Sequence, residues 1–153
     1  MSGGLQVLVD ADNVAPPRLA PVLALLATVA TARITASGRA SALRRLSWPN
    51  GATLLPSTGW QRADLALAEA YRPGPDPLML VSGDGDFGLL AGRHPGPVLV
   101  VSGAASARLR DVTTVVDPAT DGVAPIVAWL GHHGIEIATE QQAQRGAGRR
   151  PPE

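Results

Sequence analysis

Continuously apolar segments alternate with segments of helical character along most of the chain, and this alternation constrains the fold more than any other feature. Apolar runs without polar interruptions are typical of strands that are covered on both faces of a parallel sheet. We predict strands over residues 5–10, 31–37, 52–57, 78–82, 97–102 and, at the sheet edge, 112–117.

The segments between the apolar runs predict helices. The first of them opens with two prolines, which suit the first turn of a helix. Strands that alternate with helices predict a three-layer α/β fold, in which helices cover both faces of a parallel central sheet of about five strands. We predict helices over residues 16–30, 39–48, 62–72, 87–93, 105–110 and 122–133.

The order of the strands determines where a ligand would bind. We expect the order 3-2-1-4-5, in which the first and fourth strands are neighbours at the point where the strand order reverses. In open α/β sheets, ligands bind beyond the carboxyl ends of the strands at this point. Candidate functional residues are therefore those that follow the first and fourth strands.

Length and composition favour one globular domain. The chain has 153 residues, of which 45% are hydrophobic, and this suffices for a core of its own. We assign residues 1–138 to the domain and expect the polar, Gly- and Pro-rich residues 139–153 to be a disordered tail. No apolar run approaches the roughly 20 residues that span a bilayer, and no signal peptide is visible, so we expect no membrane partner.

Cysteine and lysine are both absent from the chain. The absence of cysteine excludes disulfides, thiolate zinc sites and a cysteine nucleophile, and it fits a cytoplasmic location. The formal net charge is zero, and every basic residue is an arginine. A neutral chain is not expected to coat nucleic acid nonspecifically. Any contact with phosphates is therefore expected from a local patch of arginines, which suit bidentate phosphate contacts.

Aspartates follow the two strands that are expected to be neighbours. Asp10 ends the first strand in VLVDADNV, and Asp84 and Asp86 follow the fourth strand in SGDGDF. Asp64 lies in the first turn of the helix over 62–72 and is expected to approach from the side. Each aspartate also has a plain structural explanation, as a helix cap, as part of a glycine-rich turn or as a partner of the helix dipole.

Carboxylates that converge repel one another unless a cation neutralises them. Oxygen ligands without histidine or cysteine favour Mg²⁺ or Mn²⁺. Such ions polarise a phosphoryl oxygen and supply a hydroxide nucleophile near neutral pH. The four aspartates together therefore predict a metal centre that hydrolyses phosphodiester bonds.

Three short motifs of the chain resemble those of the NYN family of PIN-like nucleases. The first is VDADN, at the end of the first strand; the second is ADLAL, which opens a helix; the third is SGDGDF, after the fourth strand. They occur in the family's order. The resemblance implies a PIN-like α/β/α fold and metal-dependent ribonuclease activity. We expect the substrate to be single-stranded RNA.

The resemblance also implies roles for individual residues. The metal would be Mg²⁺ or Mn²⁺, and its ligands would be Asp10, Asp64, Asp84 and Asp86. Asn13 and Ser82 would orient a ligand or a water molecule. Apart from the resemblance, Arg39 and Arg62 lie in segments expected to border the site, and we expect them to contact the substrate's phosphates. The alternative is that both arginines lie on solvated helix faces.

The chain departs from the family pattern at two positions near the helix aspartate. Members often have a lysine about four residues before it and a second aspartate six residues after it; here these positions are Trp60 and Ala70. The nearest acid to the second position is Glu69, which a one-residue shift turns by about 100° around the helix. These departures concern substrate contacts more than the metal ligands.

Two other functions are compatible with parts of the pattern. The segment DADN resembles the nucleophile motif of haloacid-dehalogenase-like phosphatases, but that family normally requires a lysine, which this chain lacks. The second is a catalytically inactive PIN-like module that binds RNA or a protein partner. Since no further RNA-binding domain is apparent, strong substrate specificity would come from such a partner or from a homodimer.

Overall fold

The structure is a computed structural model that describes residues 4–58 and 63–138, and these residues form an α/β fold around one parallel sheet. The sheet has six strands in the order β3-β2-β1-β4-β5-β6, and all paired neighbours are parallel. This order confirms the predicted 3-2-1-4-5 arrangement, and the predicted edge strand is the sixth strand of the sheet. The strands are β1 (Leu5–Asp10), β2 (Ala32–Arg39), β3 (Thr53–Ser57), β4 (Leu78–Val81), β5 (Val98–Val101) and β6 (Thr114–Val116).

Seven helices lie on the two faces of this sheet in the described part of the chain. Two are markedly shorter than predicted, and α6 was not predicted. They are α1 (Pro16–Leu26), α2 (Ala40–Arg44), α3 (Ala63–Ala70), α4 (Gly88–Arg93), α5 (Ala107–Val112), α6 (Pro118–Asp121) and α7 (Ala124–His132). A 3₁₀ turn, Gly85–Phe87, precedes α4.

Local contacts explain the early ends of α1 and α2. After α1, the chain turns so that Val29 enters the core, and β2 starts three residues later. After α2, the indole nitrogen of Trp48 donates a hydrogen bond to the carbonyl oxygen of Leu43 over 2.8 Å. This bond satisfies a carbonyl near the helix end, which would otherwise need a continued helix or water.

Alternate residues of each strand point to opposite faces of the sheet, and two apolar clusters result. Leu5, Val7 and Val9 of β1 belong to the cluster under α1 and α7. Leu8 belongs to the other cluster, which also contains buried residues of α3, of α5 and of the segment between β4 and β5. Asp10 lies two residues after Leu8 and therefore shares its face, which is the face that α3 covers.

The remaining expectations about the chain concern its ends and membranes. Within residues 4–58 and 63–138, every helix is too short or too polar to cross a membrane. The predicted disordered tail, residues 139–153, lies outside the described residues, as do Trp60 and Arg62.

Candidate metal centre

The carboxyl ends of β1 and β4 bring Asp10 next to Ser82. The two strands pair in parallel, with Val9 opposite Val81, so the next residue of each strand is also a neighbour. The hydroxyl of Ser82 donates a hydrogen bond to Asp10 Oδ2 over 3.3 Å. Asp10 is only 5% exposed and Ser82 is fully buried. The strand register thus places a carboxylate and a hydroxyl together at the point where the strand order reverses.

The SGDGDF segment is folded by its own side chains. Ser82 Oγ accepts a hydrogen bond from the backbone nitrogen of Asp84 over 3.1 Å. Asp84 is the N-cap of the 3₁₀ turn, because its Oδ1 accepts from the backbone nitrogen of Asp86 over 2.9 Å. Asp84 is half-buried and Asp86 is exposed. The turn therefore presents both carboxylates at the sheet edge.

Gly83 and Asn13 fix this segment against the rest of the site. Asn13 Oδ1 accepts a hydrogen bond from the backbone nitrogen of Gly83 over 2.7 Å. A Cβ atom at Gly83 would lie 2.5 Å from Ser102 Oγ and 2.7 Å from the carbonyl oxygen of Ala104. Only glycine permits this close approach between the loop that follows β4 and the loop that follows β5. Asn13 and Ser82, predicted to orient a ligand or water, hold the backbone of the acidic segment in this structure.

Helix α3 adds the third carboxylate. Asp64 lies in its first turn and is half-buried, while Ala63 and Leu67 point inward and are buried. One carboxylate oxygen from each of Asp64, Asp84 and Asp86 lies within 4.8 Å of the other two. We call these three residues the carboxylate cluster. Oxygen atoms of this kind are the ligands that Mg²⁺ and Mn²⁺ prefer.

Asp10 lies beside the carboxylate cluster rather than within it. The pKa of Asp10 is raised from 3.8 to about 6, mainly by burial. The charges of Asp12 and Asp84 add to this rise, and hydrogen bonds from Ser82 and from the backbone of Asp12 oppose it. Asp10 Oδ1 is buried and has no hydrogen-bond partner among the described residues. A buried carboxylate oxygen without a partner is costly, and a bound cation is one way to satisfy it.

The other predicted site residues have different places. Asp12 Oδ1 accepts a hydrogen bond from the backbone nitrogen of Arg39 over 3.0 Å, which ties the loop after β1 to the end of β2. Arg39 is exposed at the carboxyl edge of the sheet, and its side chain has no ion pair with any described residue. Arg62 is outside the described residues. Glu69 is exposed on α3 and does not join the carboxylate cluster.

Sequence reasoning missed the cavity beside the carboxylate cluster. It has a volume of about 560 Å³, and Asp64 and Asp86 contribute to its lining. Leu65 on α3 and Leu89 on α4 also line it, and both are exposed. Large apolar residues on the outward side of two short helices were a signal for this surface, since an amphipathic helix normally turns such residues inward.

Comparison with known proteins adds no assignment to this geometry. No protein-family model matches the chain, and no curated protein matches it significantly.

Proposed function

We propose that this protein is a metal-dependent ribonuclease, similar to the NYN family of PIN-like nucleases, that hydrolyses phosphodiester bonds of single-stranded RNA. The observation that carries the proposal is the approach of Asp64, Asp84 and Asp86 to within 4.8 Å of one another, at the switch point of a parallel sheet. Ligand sites of such sheets lie at this point. A cytoplasmic location and RNA as the partner belong to the same proposal.

The residues at the sheet edge fit a hard divalent cation. Asp64, Asp84 and Asp86 would hold Mg²⁺ or Mn²⁺, and Asp10 would join them directly or through water. The buried oxygen of Asp10 that lacks a partner supports this fit, as does the all-oxygen donor set. When bound, the cation would polarise a phosphoryl oxygen, lower the pKa of a bound water and stabilise the leaving oxygen.

The protein's own residues would keep the carboxylates in place during the reaction. The Ser82 hydroxyl contacts both Asp10 and the backbone of Asp84, so it sets the spacing between the two acids. Asn13 holds Gly83 and thereby the start of the acidic segment. We assign these two side chains positioning roles. Arg39 and Arg62 remain the proposed phosphate contacts.

Cleavage of labelled single-stranded RNA tests the proposal. The assay compares the wild type with Asp84→Asn, which keeps the side-chain size and removes the charge. Asp111→Asn is the matched control, because Asp111 is an exposed aspartate on α5 outside the carboxylate cluster. We expect cleavage by the wild type and by Asp111→Asn with Mn²⁺ or Mg²⁺, and none by Asp84→Asn or after addition of EDTA.

Two results would argue against the ribonuclease. Cleavage by Asp84→Asn at the wild-type rate would show that the carboxylate cluster is not the active site. RNA binding by a wild type that neither cleaves RNA nor binds Mn²⁺ would favour the catalytically inactive module, which the departures at Trp60 and Ala70 also suggest.

A further inference from the structure

The cavity next to the carboxylate cluster lies between α3 and α4. Asp64 and Asp86 belong to the carboxylate cluster and also line the cavity, whose volume is about 560 Å³. This volume is in the range of small-molecule sites. A group that enters the cavity would therefore lie directly beside a phosphate bound at the carboxylates.

The walls of the cavity are apolar although they face solvent. Leu65 on α3 is 58% exposed and Leu89 on α4 is 65% exposed, while Phe87 is buried at 2%. Two leucines that are so exposed at one cavity represent apolar surface without a cover among the described residues. A flat apolar ligand would remove this surface from water.

Tyr71 forms a further wall, and its side chain is fixed. His94 Nε2 lies 2.7 Å from the carbonyl oxygen of Asp76, and a carbonyl oxygen only accepts, so Nε2 carries the proton. In the neutral imidazole, His94 Nδ1 then accepts a hydrogen bond from the Tyr71 hydroxyl, which lies 2.6 Å away. The two rings also meet edge to face. An aromatic ring held in this way loses little entropy when a base stacks on it.

Arg93 adds a positive charge to the lining of the cavity. Arg93 is exposed, lines the cavity and has no ion pair with any described residue. Arg93 ends α4, and Asp86 lies in the 3₁₀ turn that precedes this helix, so seven residues separate them. At the rise of such turns this corresponds to about 10 Å. The cavity thus runs from an acidic end, suited to a metal-bound phosphate, to a guanidinium that suits a second phosphate.

We propose that the cavity between α3 and α4 binds an unpaired nucleobase of single-stranded RNA, next to the phosphate held at the carboxylate cluster, with Arg93 on a neighbouring phosphate. The inference rests on the proposed ribonuclease function and specifies its substrate contacts. A base within a duplex is paired and stacked, so only a single strand can offer it. The site therefore selects single-stranded RNA because its cavity binds an unpaired base.

A binding experiment with two probes tests the pocket. One probe is a labelled single-stranded RNA of about eight nucleotides, and the other is a base-free oligomer of the same length and charge. The binding buffer contains Ca²⁺ instead of Mn²⁺ so that the RNA is not cleaved, and a gel verifies that the RNA stays intact. The test variant is Leu65→Ala/Leu89→Ala, and the control is Leu54→Ala/Val127→Ala, which truncates two other exposed aliphatic side chains.

We expect the wild type and the control to bind the RNA on the order of ten-fold more tightly than the base-free oligomer. The Leu65→Ala/Leu89→Ala variant should lose most of this preference while its Mn²⁺ affinity stays unchanged. Arg93→Gln should weaken binding of both probes by the same factor, because it removes a phosphate contact.

The outcomes separate this inference from the ribonuclease proposal. If the wild type cleaves RNA and the preference for bases survives in Leu65→Ala/Leu89→Ala, the pocket is refuted and the nuclease stands. If the wild type neither cleaves RNA nor binds Mn²⁺ but the preference depends on both leucines, the nuclease is refuted and the base pocket stands. Equal affinity for duplex RNA, or a wild-type dimer that the leucine variant dissociates, would also overturn the pocket.

Discussion

Replacing Asp10 by asparagine should change how the stability of the metal-free protein depends on pH. Asp10 is 5% exposed, and one of its oxygens has no partner among the described residues. Burial is the main reason that its pKa is raised from 3.8 to about 6. In the unfolded chain the same carboxyl is in water, so its pKa returns to the lower value.

The sign of the effect follows from the direction of the pKa shift. The folded state binds the proton of Asp10 more tightly than the unfolded state does. The stability associated with that proton is fully present below the unfolded pKa of 3.8 and is lost as the pH rises through about 6. One pKa unit corresponds to about 1.36 kcal/mol, so the ionised group costs about 3 kcal/mol near neutral pH, of which about 2 kcal/mol arises between about pH 4.5 and pH 7.5.

Urea unfolding in EDTA measures this dependence for the wild type, Asp10→Asn and the exposed control Asp111→Asn. Asparagine does not titrate, so any fixed cost of its buried amide cancels when two pH values are compared. We expect the stability of Asp10→Asn relative to the wild type to rise by about 2 kcal/mol between about pH 4.5 and pH 7.5. The reasoning would be refuted if the difference in unfolding free energy between Asp10→Asn and the wild type stayed constant over this pH range. It would also be refuted if Asp111→Asn showed the same change with pH.

Three further predictions concern the residues that hold the acidic segment. Gly83→Ala should destabilise the fold by about 1–3 kcal/mol through overpacking, whereas Gly74→Ala, where an added Cβ meets nothing within 4 Å, should change it by less than about 0.5 kcal/mol in the same urea assay. Asn13→Ala should cost about 1–3 kcal/mol, because the backbone nitrogen of Gly83 loses its acceptor; a cost near zero would mean that water replaces the amide. Ser82→Ala should raise the pKa of Asp10 further, since the Ser82 hydrogen bond lowers it; a carboxyl-carbon NMR titration showing a fall instead would contradict this.

The fold could be predicted because its signal is spread over the whole chain. Continuous apolar runs such as 5–10 and 78–82 indicate strands buried on both faces, and the helical segments between them require parallel connections. The strand order and the edge strand then agree with the structure. A signal of this kind tolerates errors of a few residues in any one element.

The ends of individual elements could not be predicted in the same way, because tertiary contacts decide them. The helix predicted over 39–48 begins only at Ala40, because β2 continues to Arg39. It ends at Arg44, and Trp48 donates a hydrogen bond to the carbonyl oxygen of Leu43 near that end. Helix α6 is short, and Asp117 is its N-cap. The Asp117 carboxylate accepts a hydrogen bond from the backbone nitrogen of Ala119 in the first turn of α6. The Asp-Pro sequence was its one local signal.

The sequence indicated which edge of the sheet carries the acids, but not the direction of each side chain. Asp64, Asp84 and Asp86 lie together, whereas Asp10 turns toward Ser82 in the interior. Asp84 and Asp86 follow Gly83, whose close contact with Ser102 and Ala104 joins residues far apart in sequence. Such a contact leaves no pattern in a single segment.

Calorimetric titration with Mn²⁺ tests the central claim most directly, that the carboxylate cluster is a metal site. The titration compares the wild type, Asp84→Asn and the control Asp111→Asn near neutral pH, without RNA. We predict that the wild type and Asp111→Asn bind Mn²⁺ alike, and that Asp84→Asn binds it at least about ten-fold more weakly. Equal affinity in Asp84→Asn, or no binding by the wild type, would contradict the account.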